Sequence, residues 1–135
     1  MKTATQLAIF LANQPGALAR VCAALAEAGI NIHALATSDT VDHSVVRMVV
    51  SEPRKAIFLL EERGMLVVES EVLLLTGANQ PGALAEIGQR LARAKINIDY
   101  LYCASSPDAP AGLLVLRVGN LRKARQVLRG LSAVQ

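Results

Sequence analysis

Asn13-Gln14-Pro15-Gly16-Ala17-Leu18-Ala19 decides how this chain is read, because it returns letter for letter as Asn79-Gln80-Pro81-Gly82-Ala83-Leu84-Ala85. Each copy follows an apolar run and opens a segment with helical spacing. Each leads, at the same distance, into Ile-Asn-Ile, at Ile30-Asn31-Ile32 and at Ile96-Asn97-Ile98. An identity of this length between halves marks an internal repeat. It divides the 135 residues into units of roughly 65–70. The boundary falls between 69 and 70, giving domains 1–69 and 70–135. Units this small favour a fused pair over two independent beads.

Around the first copy, Gln6 to Ala12 reads as a largely buried strand. Pro15 suits the first turn of a helix, where its missing N–H costs nothing, and Asn13 or Gln14 is the expected cap. Leu18, Val21, Cys22 and Leu25 form the expected buried stripe, and Gly29 ends the helix. Asn31 to Ala36 is a second strand, Ser38 to Ser44 a polar connection, and Val45 to Ser51 a third strand. Pro53 opens a second helix that Gly64 closes, and Met65 to Val68 is a fourth strand.

The second copy replays this order. Glu69-Ser70-Glu71 is the polar break, Val72 to Thr76 a strand, and Leu84, Ile87, Gly88, Leu91 and Ala94 the stripe of a helix. Ile98 to Ala104 and Leu113 to Val118 are strands around a Pro- and Ser-rich turn. Arg122-Lys123-Ala124 matches Arg54-Lys55-Ala56 at the last helix. Only Leu131 to Gln135 remains for a fourth strand, so the second unit is truncated there or completed by a neighbour. Each unit is strand-helix-strand-strand-helix-strand. The fold class is α+β: two ferredoxin-like βαββαβ units with antiparallel sheets and helices packed on one face.

Composition narrows the function. The chain is 53% hydrophobic but only 3% aromatic, so its core is built from Ala, Val, Leu and Ile. Without tryptophan and with two tyrosines it has no base-stacking surface. Its net charge of +3 is small, and Arg122, Lys123, Arg125 and Arg129 read as a solvated helix face, so no nucleic-acid partner is expected. Cys22 and Cys103 make neither a disulfide framework nor a metal pattern. No leader-like or membrane-spanning apolar run occurs, and the expectation is a cytoplasmic protein without a membrane partner. Asp39, Asp42 and His43 crowd one loop, but three donors on a single loop are a weak metal signal. His33 and His43 have no nucleophile in motif context, so no catalytic residue, metal or cofactor is assigned.

The repeated turn has its own chemistry. A helix start presents unpaired N–H groups and the positive end of the dipole, which favour an anion. Gly16 and Gly82 let a ligand approach the backbone, and Asn13 and Asn79 supply amides that donate and accept. Asn31 and Asn97 add a second amide at the mouth of the following strand. A small zwitterion suits this set. Equally, Asn-Gln-Pro-Gly can be only a good helix start that was duplicated with its unit.

At these residues the chain resembles the ACT domain, a small βαββαβ regulatory module that binds amino acids. Its hallmark of Asp or Asn, any residue, Pro, Gly falls on Asn13, Pro15 and Gly16 and again on Asn79, Pro81 and Gly82. The resemblance extends to Ala28-Gly29-Ile30-Asn31-Ile32, to Ala94-Lys95-Ile96-Asn97-Ile98, and to Arg-Lys-Ala at both second helices. It is strongest to stand-alone tandem ACT proteins. It implies a non-catalytic amino-acid-binding regulator whose ligand sits at an interface of units, between the strand-helix turn and the start of the second strand. The implied ligand residues are Asn13, Gln14, Pro15, Gly16, Ala17, Leu18, Asn31 and Ile32, with Asn79, Gln80, Pro81, Gly82, Ala83, Leu84, Asn97 and Ile98. The implied partners are a free amino acid, a second copy in a homodimer, and a metabolic enzyme. The alternative is a regulatory subunit that acts by touching that enzyme, with vestigial pockets.

Overall fold

The computed structural model describes residues 1–40 and 42–131. Its elements are β1 (Lys2–Ala12), α1 (Ala17–Glu27), β2 (Ile32–Asp39), β3 (His43–Val50), α2 (Pro53–Glu62), β4 (Leu66–Ala78), α3 (Ala83–Arg93), β5 (Ile98–Ala104), β6 (Ala111–Val118) and α4 (Leu121–Leu128). They gather into two compact units. One is Thr5–Ser70; the other joins Met1–Ala4 to the residues from Glu71 onward.

In the first unit β3 lies between β2 and β1, and β4 borders β1 on its other side. The β1–β3 and β2–β3 pairings are antiparallel, with Leu7 opposite Met48 and Ile9 opposite Val46. Alternation sends Leu7, Ile9 and Leu11 of β1 and Val46, Met48 and Val50 of β3 to one face. Val21 and Leu25 of α1 and Ala56 and Leu60 of α2 close over them. The buried stripe of α1 is Ala17, Val21, Ala24 and Leu25, not the set led by Leu18. Leu18 is 37% exposed and its counterpart Leu84 is 47% exposed. In each helix the residue before it, Ala17 or Ala83, takes the buried position, and the next one turns outward.

The second unit repeats the plan with β5, β6 and β4. Leu73 and Leu75 of β4 face Leu116 and Leu114 of β6 across an antiparallel ladder. Ile87, Leu91, Ala124 and Leu128 cover them from α3 and α4. The strand beside β4 in this unit is the start of β1, and Met1 packs on the unit's core. The place of a fourth strand is thus filled by the chain's own first residues. Leu131 is buried but lies in no strand, and 132–135, where the remaining strand was expected, lie outside the described residues.

Three further local expectations are corrected. The helix does not begin at Pro15 with an Asn cap. Pro15 lies in the turn, and the N-cap is Gly16 at φ 86, with Gly82 at φ 88 in the second unit. A chain leaving a strand must reverse to lay a helix back on the sheet. One left-handed residue does that, and glycine does it without steric cost. Glu69-Ser70-Glu71 is no break, since β4 runs through it; a strand carries polar residues wherever they can point to solvent or a partner, and Glu69 pairs with Arg54 at 2.8 Å. Ser38, Asp39, His43 and Ser44 are strand residues, because their backbones pair across the hairpin whatever their side chains.

The helix ends repeat as well. Gly29 (φ 72) closes α1, with Ile30 N–H donating to Leu25 O at 2.9 Å. At α3 the same bond, Ile96 N–H to Leu91 O at 2.9 Å, is made with Lys95 at φ 59. The repeated Arg-Lys-Ala has a visible role. Lys55 Nζ donates to Ala28 O at 2.8 Å and Lys123 Nζ to Ala94 O at 2.9 Å, each capping the carbonyl end of the preceding helix.

Two substitutions isolate these backbone requirements. No atom lies within 4 Å of a Cβ added at Gly82, so Gly82→Ala tests conformation alone and should cost about 1–2 kcal/mol in urea denaturation. Lys95→Gly should act in the opposite direction and raise stability by about 0.5–1 kcal/mol.

Candidate ligand site

The strand-helix turn is tied to the hairpin of its unit by the asparagine that begins it. Asn13 N–H donates to Asp42 O at 3.0 Å, and its Nδ2 donates to Thr40 O at 3.2 Å. Asn79 repeats both contacts on the β5–β6 hairpin. Its N–H reaches Pro110 O at 3.0 Å, and its Nδ2 reaches Ala109 O at 2.7 Å and Ser106 O at 3.2 Å. A carboxylate has no hydrogen to offer those carbonyls, which is a physical reason for Asn over Asp. Each amide keeps its Oδ1 clear of hydrogen bonds among the described residues.

The helix start supplies donors. Ala17 N–H turns back to Gln14 O at 3.3 Å, and the first helical bond is Arg20 N–H to Gly16 O at 3.0 Å. Among the described residues Leu18 and Ala19 N–H are left without a backbone acceptor. In the second unit Ala83 N–H to Gln80 O and Glu86 N–H to Gly82 O leave Leu84 and Ala85 the same way. These are the groups a carboxylate binds.

A cavity opens at each turn. The first, about 290 Å³, is lined by Leu11, Asn13, Gln14, Ala17, Leu18, Asp39 and Ser44 among others. The second, about 450 Å³, is lined by Asn79, Gln80, Gly82, Ala83, Leu84, Cys103 and Ser105, with Ile87 and Leu114 beneath. Both sizes lie near the lower part of the range for small-molecule pockets. The lining differs in charge. Asp39 puts a carboxylate in the first cavity; the second has no charged side chain.

Of the residues expected from sequence, Asn13, Gln14, Ala17 and Leu18, and Asn79, Gln80, Gly82, Ala83 and Leu84, line these cavities. Pro15, Gly16 and Pro81 shape the turns without lining them. Asn31, Ile32, Asn97 and Ile98 lie elsewhere. They follow α1 and α3, whereas the turns precede them, and an 11-residue helix is about 16 Å long. Within a unit no small ligand spans that distance. Asn31 N–H instead donates to Ser51 Oγ at 2.9 Å, and Asn97 Nδ2 to Asp99 Oδ1 at 3.2 Å.

Sequence reasoning missed Asp39, Thr37, Cys103 and Ser105. The signal was the strand register. Leu11 lies opposite Ser44 and Ser44 opposite Asp39, so one row of three strands ends in the cavity. In the second unit Leu75, Leu114 and Cys103 form a row into the cavity, the counterpart of Ile9, Val46 and Thr37 in the first. Among the described residues no three His, Cys, Asp or Glu side chains gather to hold a metal ion, and no helix is long and apolar enough to cross a membrane.

Comparison with known proteins gives this arrangement a family. The family described as an ACT domain pair matches residues 2–133. The chain belongs to it. A crystal structure of a protein from Bacteroides thetaiotaomicron is similar to this ACT domain pair at 33% identity and a TM-score of 0.88, over 94% of this chain and 87% of that one. The ligand-free regulatory subunit of aspartate kinase from Thermus thermophilus shares the fold, at 21% identity and a TM-score of 0.71, over 96% and 94% of the two chains. The corresponding subunit from Thermus flavus is also 21% identical, with a TM-score of 0.66 and the same coverage. No curated protein matches the chain by sequence.

The asparagine contacts carry a stability prediction for the pair. Asn79→Ala should cost about 1 kcal/mol in urea denaturation. Asn79→Asp should cost more than Asn79→Ala, since it sets a carboxylate against the hairpin carbonyls; an Asp variant as stable as wild type would refute the structural role of the amide nitrogen.

Proposed function

We propose that this ACT domain pair is a cytoplasmic, non-catalytic sensor of a free amino acid. The observation that supports the reading best is the first cavity. There the unpaired N–H groups at the start of α1, the Asn13 Oδ1 and the Asp39 carboxylate border one space. A zwitterion matches them end for end, with its carboxylate on the helix start and its ammonium between Asn13 and Asp39. The acidic partner absent from the turn motif is thus supplied from the end of β2. The second cavity offers only neutral acceptors and more room, which suits a larger, less polar side chain held less tightly.

In this reading a second copy of the chain brings Asn31-Ile32 or Asn97-Ile98 to the turn, since a unit's own strand start is a helix length away. Ligand then stabilises the homodimer, and the dimer is the signal. A second reading has the chain act as a regulatory subunit on a metabolic enzyme, as the Thermus proteins of this fold are named. Phe58 and Leu66, 68% and 63% exposed, are a surface such a partner could cover.

A thermal-shift screen with the twenty free amino acids tests the first reading. A ligand at a hundredfold its Kd should add about 2.7 kcal/mol of stability. Asp39→Asn should then weaken binding about tenfold, because the hydrogen bond to the ammonium loses its charge assistance, while leaving the unliganded melting temperature in place. Failure of all twenty to shift the melting temperature, together with amino-acid-independent capture of one metabolic enzyme, would favour the second reading.

A further inference from the structure

The second unit carries a groove along its last helix. Thr3, Glu71, Arg122, Arg125, Gln126 and Arg129 border a cleft of about 370 Å³ along α4. Three guanidinium groups face one carboxylate, so the cleft is formally positive by two. Among the described residues none of the three arginines pairs with an acid. The Nε of Arg125 is buried and has no hydrogen-bond partner among the described residues.

The repeat provides an internal control. Aligning Arg122-Lys123-Ala124 with Arg54-Lys55-Ala56 sets Ile57, Phe58 and Glu61 against Arg125, Gln126 and Arg129. In the first unit Arg54 is neutralised by Glu69 through two contacts, at 2.8 Å and 3.1 Å. The surrounding positions there are apolar or acidic. In the second unit the buried residues of the helix, Ala124 and Leu128, are kept in register with Ala56 and Leu60 while the outer face becomes triply basic. Packing does not require that change, so the difference lies in what the face meets.

We infer that this cleft binds a small, multiply charged phosphate-bearing anion. Arginine presents a planar fork that fits phosphate oxygens two at a time; Arg122 and Arg125 lie three residues apart on α4, Arg129 caps its end, and all three line the cleft. The Thr3 hydroxyl and the Gln126 amide add neutral donors at the rim. Glu71 opposes a singly charged ligand and selects for one that brings several charges; its backbone carbonyl is held by Arg117 Nη1 at 2.8 Å. Nucleic acid is the poorer occupant, because the cleft has no aromatic side chain on which a base could stack. The site is separate from both turn cavities, so it stands whether or not those bind an amino acid.

Calorimetric titration of the full chain with pyrophosphate in low-salt buffer tests the inference. One pyrophosphate per chain should bind, more tightly than inorganic phosphate, and the affinity should fall as salt is added. Arg125→Gln should weaken binding at least tenfold. Arg129→Gln, at an exposed position whose loss leaves the fold intact, should weaken it several-fold, whereas Arg90→Gln on α3 should leave it unchanged. Absence of binding at millimolar pyrophosphate, or equal affinity in the Arg129→Gln and Arg90→Gln variants, would overturn the proposal. So would a single-stranded oligonucleotide that binds the wild-type chain and is not displaced by pyrophosphate.

Discussion

Each half of this protein depends on one side-chain amide. The nitrogen of Asn13, and again of Asn79, donates to carbonyls of a hairpin remote in sequence and so fixes where the strand-helix turn stands. With the turn anchored, the left-handed glycine that follows sets the direction in which the helix leaves. The helix in turn lays its apolar stripe on the sheet. The same anchoring leaves a space between turn and hairpin, bounded by the helix N–H groups and by the far side of the amide itself. The cavity is a consequence of how the fold is tied, which is why the structural role and the proposed binding role fall on the same residue.

The two copies keep what packing demands and differ where it demands nothing. Leu7, Ile9, Val21 and Leu25 have direct counterparts in Leu73, Leu75, Ile87 and Leu91, all fully or almost fully buried. The lysine that caps the preceding helix is retained in both. Divergence collects at the cavity rims, where Asp39 meets Ser105, and on the outer face of the second helix, where Ile57 and Glu61 meet Arg125 and Arg129. Duplicated cores are held by volume and burial, since a lost methylene group or a cavity costs on the order of 1 kcal/mol or more. Rims and faces carry no such cost, and there the copies acquire separate chemistry.

Much of the fold was legible in sequence. Alternation on strands and the Val21–Leu25 spacing on α1 are local patterns, and the helix and strand order follows from them. The reading went astray where a local signal has two structural meanings. Pro after Asn suggests a capped helix start, but it fits equally well in a turn that a left-handed glycine completes. Three polar residues at 69–71 suggest a break between two strands, yet one strand runs through them, with Glu69 paired to Arg54, while the units still divide between Ser70 and Glu71. Leu18 matched a helical stripe by spacing alone, and only its position against the sheet shows that it rims a cavity.

The sequence by itself determined that there are two copies of one unit, most of the residues that make each core, and which turn carries the candidate ligand groups. Those facts are written in repeats and periodicities that a short window contains. Tertiary structure alone decided three others. The first residues of β1 border β4 in the second unit, because strand neighbours are chosen by backbone pairing between distant segments. Asp39 reaches the cavity of Asn13 through a row of partners across three strands, a register no local pattern encodes. Asn31 and Asn97 stand a helix length from the turns they were expected to join, because a helix that separates two residues in sequence also separates them in space.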